Sequence, residues 1–306
     1  MKEFNVVLLT AEKYSDHANS SPLVQNVLQE NHLVAQALQK IGLQTAMKSW
    51  SDPKFDWSTT EYILIRTPWD YFERFEEFLL WFKKTANVTV FINSAQLIHW
   101  NIDKNYLKEL QANGIRLPNT YFVPKGTTLE LQEAMALAEE QFGSQCTTWV
   151  LKPCIAAGAY NTFRFDQDES EEYANRFKAL IENADFMLQE FQHNIVDKGE
   201  ISLMLINGEF SHAVLKRAKT GDFRVQDDYG GTVEPYHPSE AEINFSKEVV
   251  EACKEMPLYA RVDILRDNME RLALAELEIF EPELWFRFRP ESADILAKAL
   301  KENYFS

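Results

Sequence analysis

Cysteine is scarce in this sequence. Three occur in 306 residues, Cys146, Cys154 and Cys253, and no two form a CxxC pair. That excludes a disulfide framework and a cysteine zinc site, and it predicts a reduced, cytoplasmic protein. Positive charge is short as well. Lys and Arg number 31 against 47 Asp and Glu, for a net charge of −16. Such a balance argues against non-specific binding to nucleic acid or to an anionic membrane surface. It leaves room for an anionic ligand in a local basic pocket. No apolar run approaches the roughly 18 residues of a membrane span. The first residues turn polar after Leu9 and are too short to read as a signal peptide. Familiar nucleotide signatures are missing: no GxxxxGK[ST], no GxGxxG after a strand, no HRD and DFG pair. No HExxH occurs, and the six histidines are scattered. Cys154 follows Lys-Pro without a spaced histidine to activate it, and reads as a buried spectator.

What is present is ordinary globular material, 45% hydrophobic and 25% charged, long enough for two or three lobes. Residues 4–10 (FNVVLLT) form a short apolar run expected to be a buried strand. Ser21 can cap a helix with Pro22 at its first position, and Gly42 can end it. Strands are expected at 43–48, 61–66 and 88–92, with a helix over 72–84. Strands alternating with helices predict an open α/β sheet for about the first 95 residues. Its ligand edge lies beyond the carboxyl ends of its strands, at 10–21 and 66–71 (RTPWDY). Trp69 in that stretch reads equally as packing. A helix over 103–113 follows, then a strand within 114–123, a helix over 129–142, a strand at 147–152 and a strand closing 179–191. From 199 long alternating strands set in, turned by Asn207-Gly208. Residues 217–237 are polar, with Gly221, Gly230 and Gly231, and are expected to be a long loop serving as a lid. Helices are expected at 239–254 and 291–302.

Between those helices lies residues 259–286, YARVDILRDNMERLALAELEIFEPELWF. Apolar and charged residues alternate on both sides of a polar break, which predicts a β-hairpin. With the turn between Met269 and Glu270, Asp263 stands opposite Glu276 and Arg261 opposite Glu278, all on one face. Two opposed carboxylates repel by up to about 1 kcal/mol. Either they hold a hard divalent cation, which takes oxygen ligands, or the face is a solvated edge neutralised by the arginine.

Four blocks occur in order: NSAQLIHWNIDKNYLKELQANGIRLPNTYFV at 93–123, TTWVLKPCIAAGAYNTFRF at 147–165, FMLQEF at 186–191 with KGEISL at 198–203, and ARVDIL at 260–265 with AELEIFEP at 275–282. In this order the chain resembles the ATP-grasp superfamily of carboxylate–amine ligases, over about residues 90 to 290 and more weakly over the first 90. The third block and its continuation are similar to prokaryotic glutathione synthetases, and to the glutathione-synthetase-like ligases of the type that closes the ring in cycloserine synthesis.

The resemblance implies an α/β protein with α+β lobes: an ATP-grasp fold in which an N-terminal open α/β domain precedes two β-rich lobes that sandwich ATP. The divisions expected are 1–94 for the substrate-binding domain, 95–190 for the central lobe with a phosphate-covering loop, and 191–306 for the lobe with the metal site. Lys104 and Lys152 match two phosphate-facing lysines. Residues 154–161, including Ala157 and Gly158, match the loop whose backbone N–H groups cover the phosphates. Adenine would lie against 189–193, at Gln189, Glu190 and Phe191, and Glu190 and Glu200 match acceptors near the adenine and the ribose. Asp263 and Glu276 match metal carboxylates, and Arg261 an arginine facing the transferred phosphoryl group. Glu278 stands where many relatives have Asn, and either binds metal or pairs with Arg261. The FEPEL that follows departs from the Ser-Pro of many relatives. Lys216, Arg217 and Arg224 are candidates to hold a substrate carboxylate and the tetrahedral state, weighed against a solvated basic loop.

The implied cofactors are ATP and Mg²⁺, with Mn²⁺ as an alternative metal. The implied reaction is C–N bond formation through an acyl phosphate, releasing ADP and phosphate. The implied substrates are small and amino-acid-like, with no nucleic-acid or membrane partner and a homodimer or homotetramer as the assembly. Two rivals remain at this point: a silent ATP-binding scaffold or sensor, and a phosphotransferase that leaves phosphate on its acceptor.

Overall fold

The computed structural model describes residues 2–15, 21–225 and 230–305. Thus 16–20 of the expected ligand edge and 226–229 of the expected lid lie outside the described residues. The first sheet is built from β1 (Phe4–Thr10), β2 (Thr45–Ser49), β3 (Thr60–Thr67) and β4 (Val90–Ile92), in the order β2-β1-β3-β4. Every pairing in it is parallel. Parallel strands need crossovers, and α1 (Pro22–Lys40) and α2 (Phe75–Thr85) supply them. Ser21 caps α1 by accepting the N–H of Val24 at 3.3 Å. Val6, Leu8 and Leu64 bury one face of this sheet against α1, and Val7, Leu9, Ile63 and Ile65 bury the other against Trp50 and Phe78. Burial on both faces explains the unbroken apolar runs of β1 and β3.

The second sheet is antiparallel: β5 (Thr120–Val123), β6 (Thr148–Pro153), β7 (Phe163–Asp166) and β8 (Phe186–Glu190), in the order β5-β8-β6-β7. The helices α5 (Leu131–Phe142) and α6 (Ser170–Ile181) share its core. Sequence patterning does not reveal β7 or α6. The strand is four residues long, and α6 buries only Ser170, Phe177 and Ile181, too thin a stripe to stand out.

The third sheet comprises β9 (Glu200–Ile206), β10 (Glu209–Arg217), β11 (Thr232–Tyr236), β12 (Tyr259–Arg266) and β13 (Leu272–Glu278), ordered β11-β10-β9-β12-β13 and antiparallel. Here the structure corrects the expected loop over 217–237: β11 pairs with β10 from Thr232 to Tyr236. Its residues are mostly exposed and include Pro235, as suits an edge strand and as hides one from pattern reading. The helix expected over 103–113 is present as α4 (Tyr106–Ala112), and a helix that the sequence reading did not give, α3 (Ala95–Asn101), precedes it. Leu97, Leu107 and Leu110 pack with Leu203, Val262 and Leu274, so both helices sit on the third sheet. A short α7 (Asn194–Lys198) precedes β9, and α8 (Glu240–Glu251) and α9 (Glu291–Tyr304) complete the chain.

Buried amides position the hairpin. Asn93, 1% exposed, donates to the carbonyls of Tyr259 at 3.0 Å and Ile279 at 2.9 Å and accepts from the N–H of Leu258. Asn101 donates to the carbonyl of Leu277 and accepts from the N–H of Ile279. The outer edge of β13 is thereby satisfied by side chains, and the hairpin is fixed to the segments that follow the first sheet.

Candidate active site

The register of the hairpin is the expected one: Asp263 is opposite Glu276 and Arg261 opposite Glu278, with an irregularity just after Asp263. The solvated-edge reading does not hold. The strand β12 lies between β9 and β13, and Asp263 is 2% and Arg261 8% exposed. Four cations meet these acids. Arg261 donates to both oxygens of Asp263 and to Glu278. Lys216 pairs with Asp263 at 3.0 Å and also with Glu200. Lys104 pairs with Glu276 at 3.0 Å and donates to the carbonyl of Ala156 at 2.8 Å. Lys152 stands near Glu276 and, among the described residues, forms no ion pair.

These pairings decide which groups carry charge. Burial works against ionised Asp263, but Arg261 and Lys216 outweigh it and bring the carboxyl to about 2. Burial likewise opposes ionised Glu276, and Lys104 and Lys152 outweigh it, so its pKa is lowered. For Glu278 burial wins over Arg261, with Glu281 and Glu276 adding to it, and its pKa is raised well above the usual range. Burial also raises Glu200 despite Lys216, and it lowers Lys152. The site therefore combines firmly ionised acids with others that resist ionisation.

All of this lines one cavity of about 490 Å³ between the second and third sheets, with Tyr14, Trp69 and Phe72 of the first domain also on its wall. Of the residues expected at the site from sequence, all but Arg217 lie on its wall. Lys104, Lys152, Glu200 and Lys216 are joined there by Arg261, Asp263, Glu276 and Glu278. Ala157 and Gly158 line it from the 154–161 loop, where Gly158 takes φ +58°. Gln189, Glu190 and Phe191 line it from the end of β8, and Arg224 from the segment after β10.

Several of these residues are engaged differently from expectation. The N–H groups of Glu190, Phe191 and His193 are bonded to Asn119, Thr148 and Asn268, so these backbone donors are already used by neighbouring strands and turns. The Glu190 carboxylate accepts from Asn119 at 2.8 Å and Asn268 at 3.1 Å. Phe191 lies under the Arg164 guanidinium at 4.3 Å. Lys216 belongs to a strand instead of a loop and is 4% exposed. Arg224 is bonded to Asp222, and the exposed Arg217 to Glu234. Arg66 of the RTPWDY stretch is buried over the Phe286 ring, whereas Trp69 reaches the cavity wall. Cys154 is buried, its thiol pushed up to about 12 by burial. Sequence reasoning missed Glu281, Glu283 and Trp285 as cavity residues; the only signal was the unusual FEPEL after the hairpin.

Among the described residues, no three acidic, histidine or cysteine side chains form a group already able to hold a metal. The available donors are carboxylate oxygens, the type hard divalent cations prefer, and Lys104 and Arg261 now bind the same oxygens. No helix of the described residues is long and apolar enough to cross a membrane.

Comparison with known proteins agrees with the fold. Residues 123–282 match the family model of the ATP-grasp domain of prokaryotic glutathione synthetase, and residues 6–93 match that of the N-terminal domain of D-cycloserine synthetase DcsG. The cycloserine biosynthesis protein DcsG of Streptomyces lavendulae is 27% identical over 281 residues, 87% of this chain and 91% of that protein. The crystal structure of D-cycloserine synthetase DcsG superposes with TM-score 0.85 at 24% identity, over 97% of this chain and 99% of that one. D-alanine–D-alanine ligase from Bacillus anthracis, complexed with ATP, has the same fold at TM-score 0.63 and 14% identity, over 98% and 96% of the two chains.

Proposed function

Because the chain belongs to the ATP-grasp family of prokaryotic glutathione synthetases, we propose that it joins the carboxylate of a small amino-acid-like substrate to an amine through an acyl phosphate. Its class is that of ATP-dependent C–N ligases. The observation that carries the proposal is the cavity. Lys104 and Lys152 supply positive charge on one side, and the acids of the hairpin with Arg261 stand across from them. Anionic phosphates placed there would meet three lysines and an arginine, with Ala157 and Gly158 above.

Mg²⁺, shared between phosphate oxygens and Asp263, Glu276 or Glu278, would neutralise charge as the phosphoryl group moves; Mn²⁺ offers the same ligand preference. The chain's own residues do the rest. Arg261 orients Asp263 and faces the transferred group. Lys216 helps keep Asp263 ionised and holds Glu200 in place. Positioning and charge neutralisation are the main devices for phosphoryl transfer. The 154–161 loop leans toward the first sheet, where Tyr160 packs on Phe72 with ring centres 5.2 Å apart, and shields the activated carboxylate from water.

The test is release of ADP and free phosphate from Mg²⁺-ATP with D- and L-amino acids, dipeptides and hydroxylamine. Stimulation by a particular acid–amine pair is the expected result. AMP and pyrophosphate would sink the acyl-phosphate route, and phosphate left on the acceptor would reveal a phosphotransferase.

A further inference from the structure

Glu281 stands three residues beyond the end of β13, on the cavity wall. Its neighbours among the acids of that wall are paired: Glu200 with Lys216, Asp263 and Glu278 with Arg261, Glu276 with Lys104, Glu283 with Arg287. Glu281 has no ion pair with a Lys or Arg among the described residues. Its backbone is nevertheless held firmly. The Trp69 indole N–H donates to its carbonyl at 3.0 Å. Phe280 beside it packs edge-on against Tyr71 and Phe78, with ring centres 4.9 and 5.6 Å apart.

We propose that Glu281 receives the ammonium group of the amino-acid substrate and makes the enzyme prefer amino acids to carboxylic acids that lack that group. The inference rests on the ligase reading and extends it to the substrate. A carboxylate in an enclosed wall is costly unless a cation joins it; Tyr71 and Trp69 hydrogen-bond this one and Arg261 and Lys104 act on it from farther off, but no Lys or Arg pairs with it among the described residues. Burial accordingly raises this carboxyl to about 7, and an ammonium beside it would restore the charged form. The surroundings suit a cation. Trp69 stands next to Glu281, edge-on to Tyr14 at 5.5 Å, whereas Trp285 on the same wall already carries Arg261 and Lys216 over its ring. Aromatic faces attract ammonium groups. The wall thus carries Lys104, Lys152 and Arg261 among paired acids, and beside Trp69 an acid without an ion pair. A zwitterion whose carboxylate points to Arg261 and whose ammonium points to Glu281 matches those charges.

The experiment measures ADP release with hydroxylamine as the amine and paired acids as partners: alanine, serine and glutamate of both hands against propionate, 3-hydroxypropionate and glutarate. The wild-type protein should prefer the amino acid over its counterpart by roughly 10- to 100-fold in kcat/KM, the span of one hydrogen bond to a charged group. Glu281→Gln should bring the pair to near equality with KM for ATP unchanged, and Glu281→Asp should restore part of the preference. Stabilisation of each variant by a non-hydrolysable ATP analogue with Mg²⁺ shows that it is folded. A Glu281→Gln variant that keeps the full preference, or a wild type that turns over both acids equally, overturns the inference and leaves the ligase standing. If no acid supports ADP release, the ligase reading fails and the inference falls with it.

Discussion

Asp263 accepts hydrogen bonds from Ser202 at 2.6 Å and from Arg261 and Lys216 at 3.0 Å. Removing one member of such a buried set leaves a charge without its partner, at about 3–5 kcal/mol. Lys216→Met should therefore lose stability of that size in urea unfolding, because it strips both Glu200 and Asp263. Asp263→Asn with Glu276→Gln should lower Mg²⁺-dependent turnover on the order of 10²- to 10³-fold; unchanged turnover would refute their role. The acids also set a pH dependence of opposite signs. Asp263, brought down to about 2 from 3.8, contributes stability that is present above pH 3.8 and lost as pH falls toward 2. Glu281, raised to about 7 from 4.5, binds a proton more tightly when folded, so stability falls as pH rises between those values. The melting temperature without ligand should decline from pH 5 to pH 8, and Glu281→Gln should flatten part of that decline. Burial likewise raises Glu200 and Glu278, which retain the remainder. The opposition of Asp263 and Glu276 was legible because both lie on one hairpin with period two. The pairing of Lys216 with Asp263 was not, because it spans β10, β9 and β12 and depends on their registers.

At the scale of elements, short and polar segments are where sequence reading failed. The strands β1 and β3 declared themselves by apolar runs buried on both faces, and Asn207-Gly208 marked the turn between β9 and β10, with φ of +51° and +78°. The edge strand β11 and the thin helix α6 carried no such pattern, and the split of α3 from α4 follows the loop that places Lys104. One connection has a strict requirement. Gly199, between α7 and β9, takes φ +78°, and a Cβ there would run into the Lys216 carbonyl. Gly199→Ala should cost more than the roughly 1–2 kcal/mol of left-handed backbone alone, since the clash is with main chain. It should also lower turnover by moving Glu200 and Lys216. Normal activity and stability in that variant would show that the start of β9 adjusts freely.

At the scale of the whole molecule, the site is a product of assembly. Residues more than 150 positions apart, Lys104 and Glu276 among them, meet only because α3 and α4 sit on the third sheet while the second sheet covers them. Sequence order suggested which residues gather, through resemblance to a family; it contained nothing about the closeness of Glu281 to Trp69, which links the first sheet to the third. A nucleotide bound between the second and third sheets should therefore stabilise both together. At a concentration 100 times its Kd, a non-hydrolysable ATP analogue should add about 2.7 kcal/mol to unfolding. It should also slow hydrogen exchange in β6 and β8 of one sheet and in β9, β12 and β13 of the other. Because Asp263 and Glu276 are expected to reach the phosphates through a divalent cation, omission of Mg²⁺ should weaken the protection of β12 and β13 more than that of β8, whose contacts lie at the base. Equal protection with and without Mg²⁺ would mean that Lys104 and Arg261 keep these carboxylates to themselves, and the metal would then have to be sought elsewhere on the cavity wall.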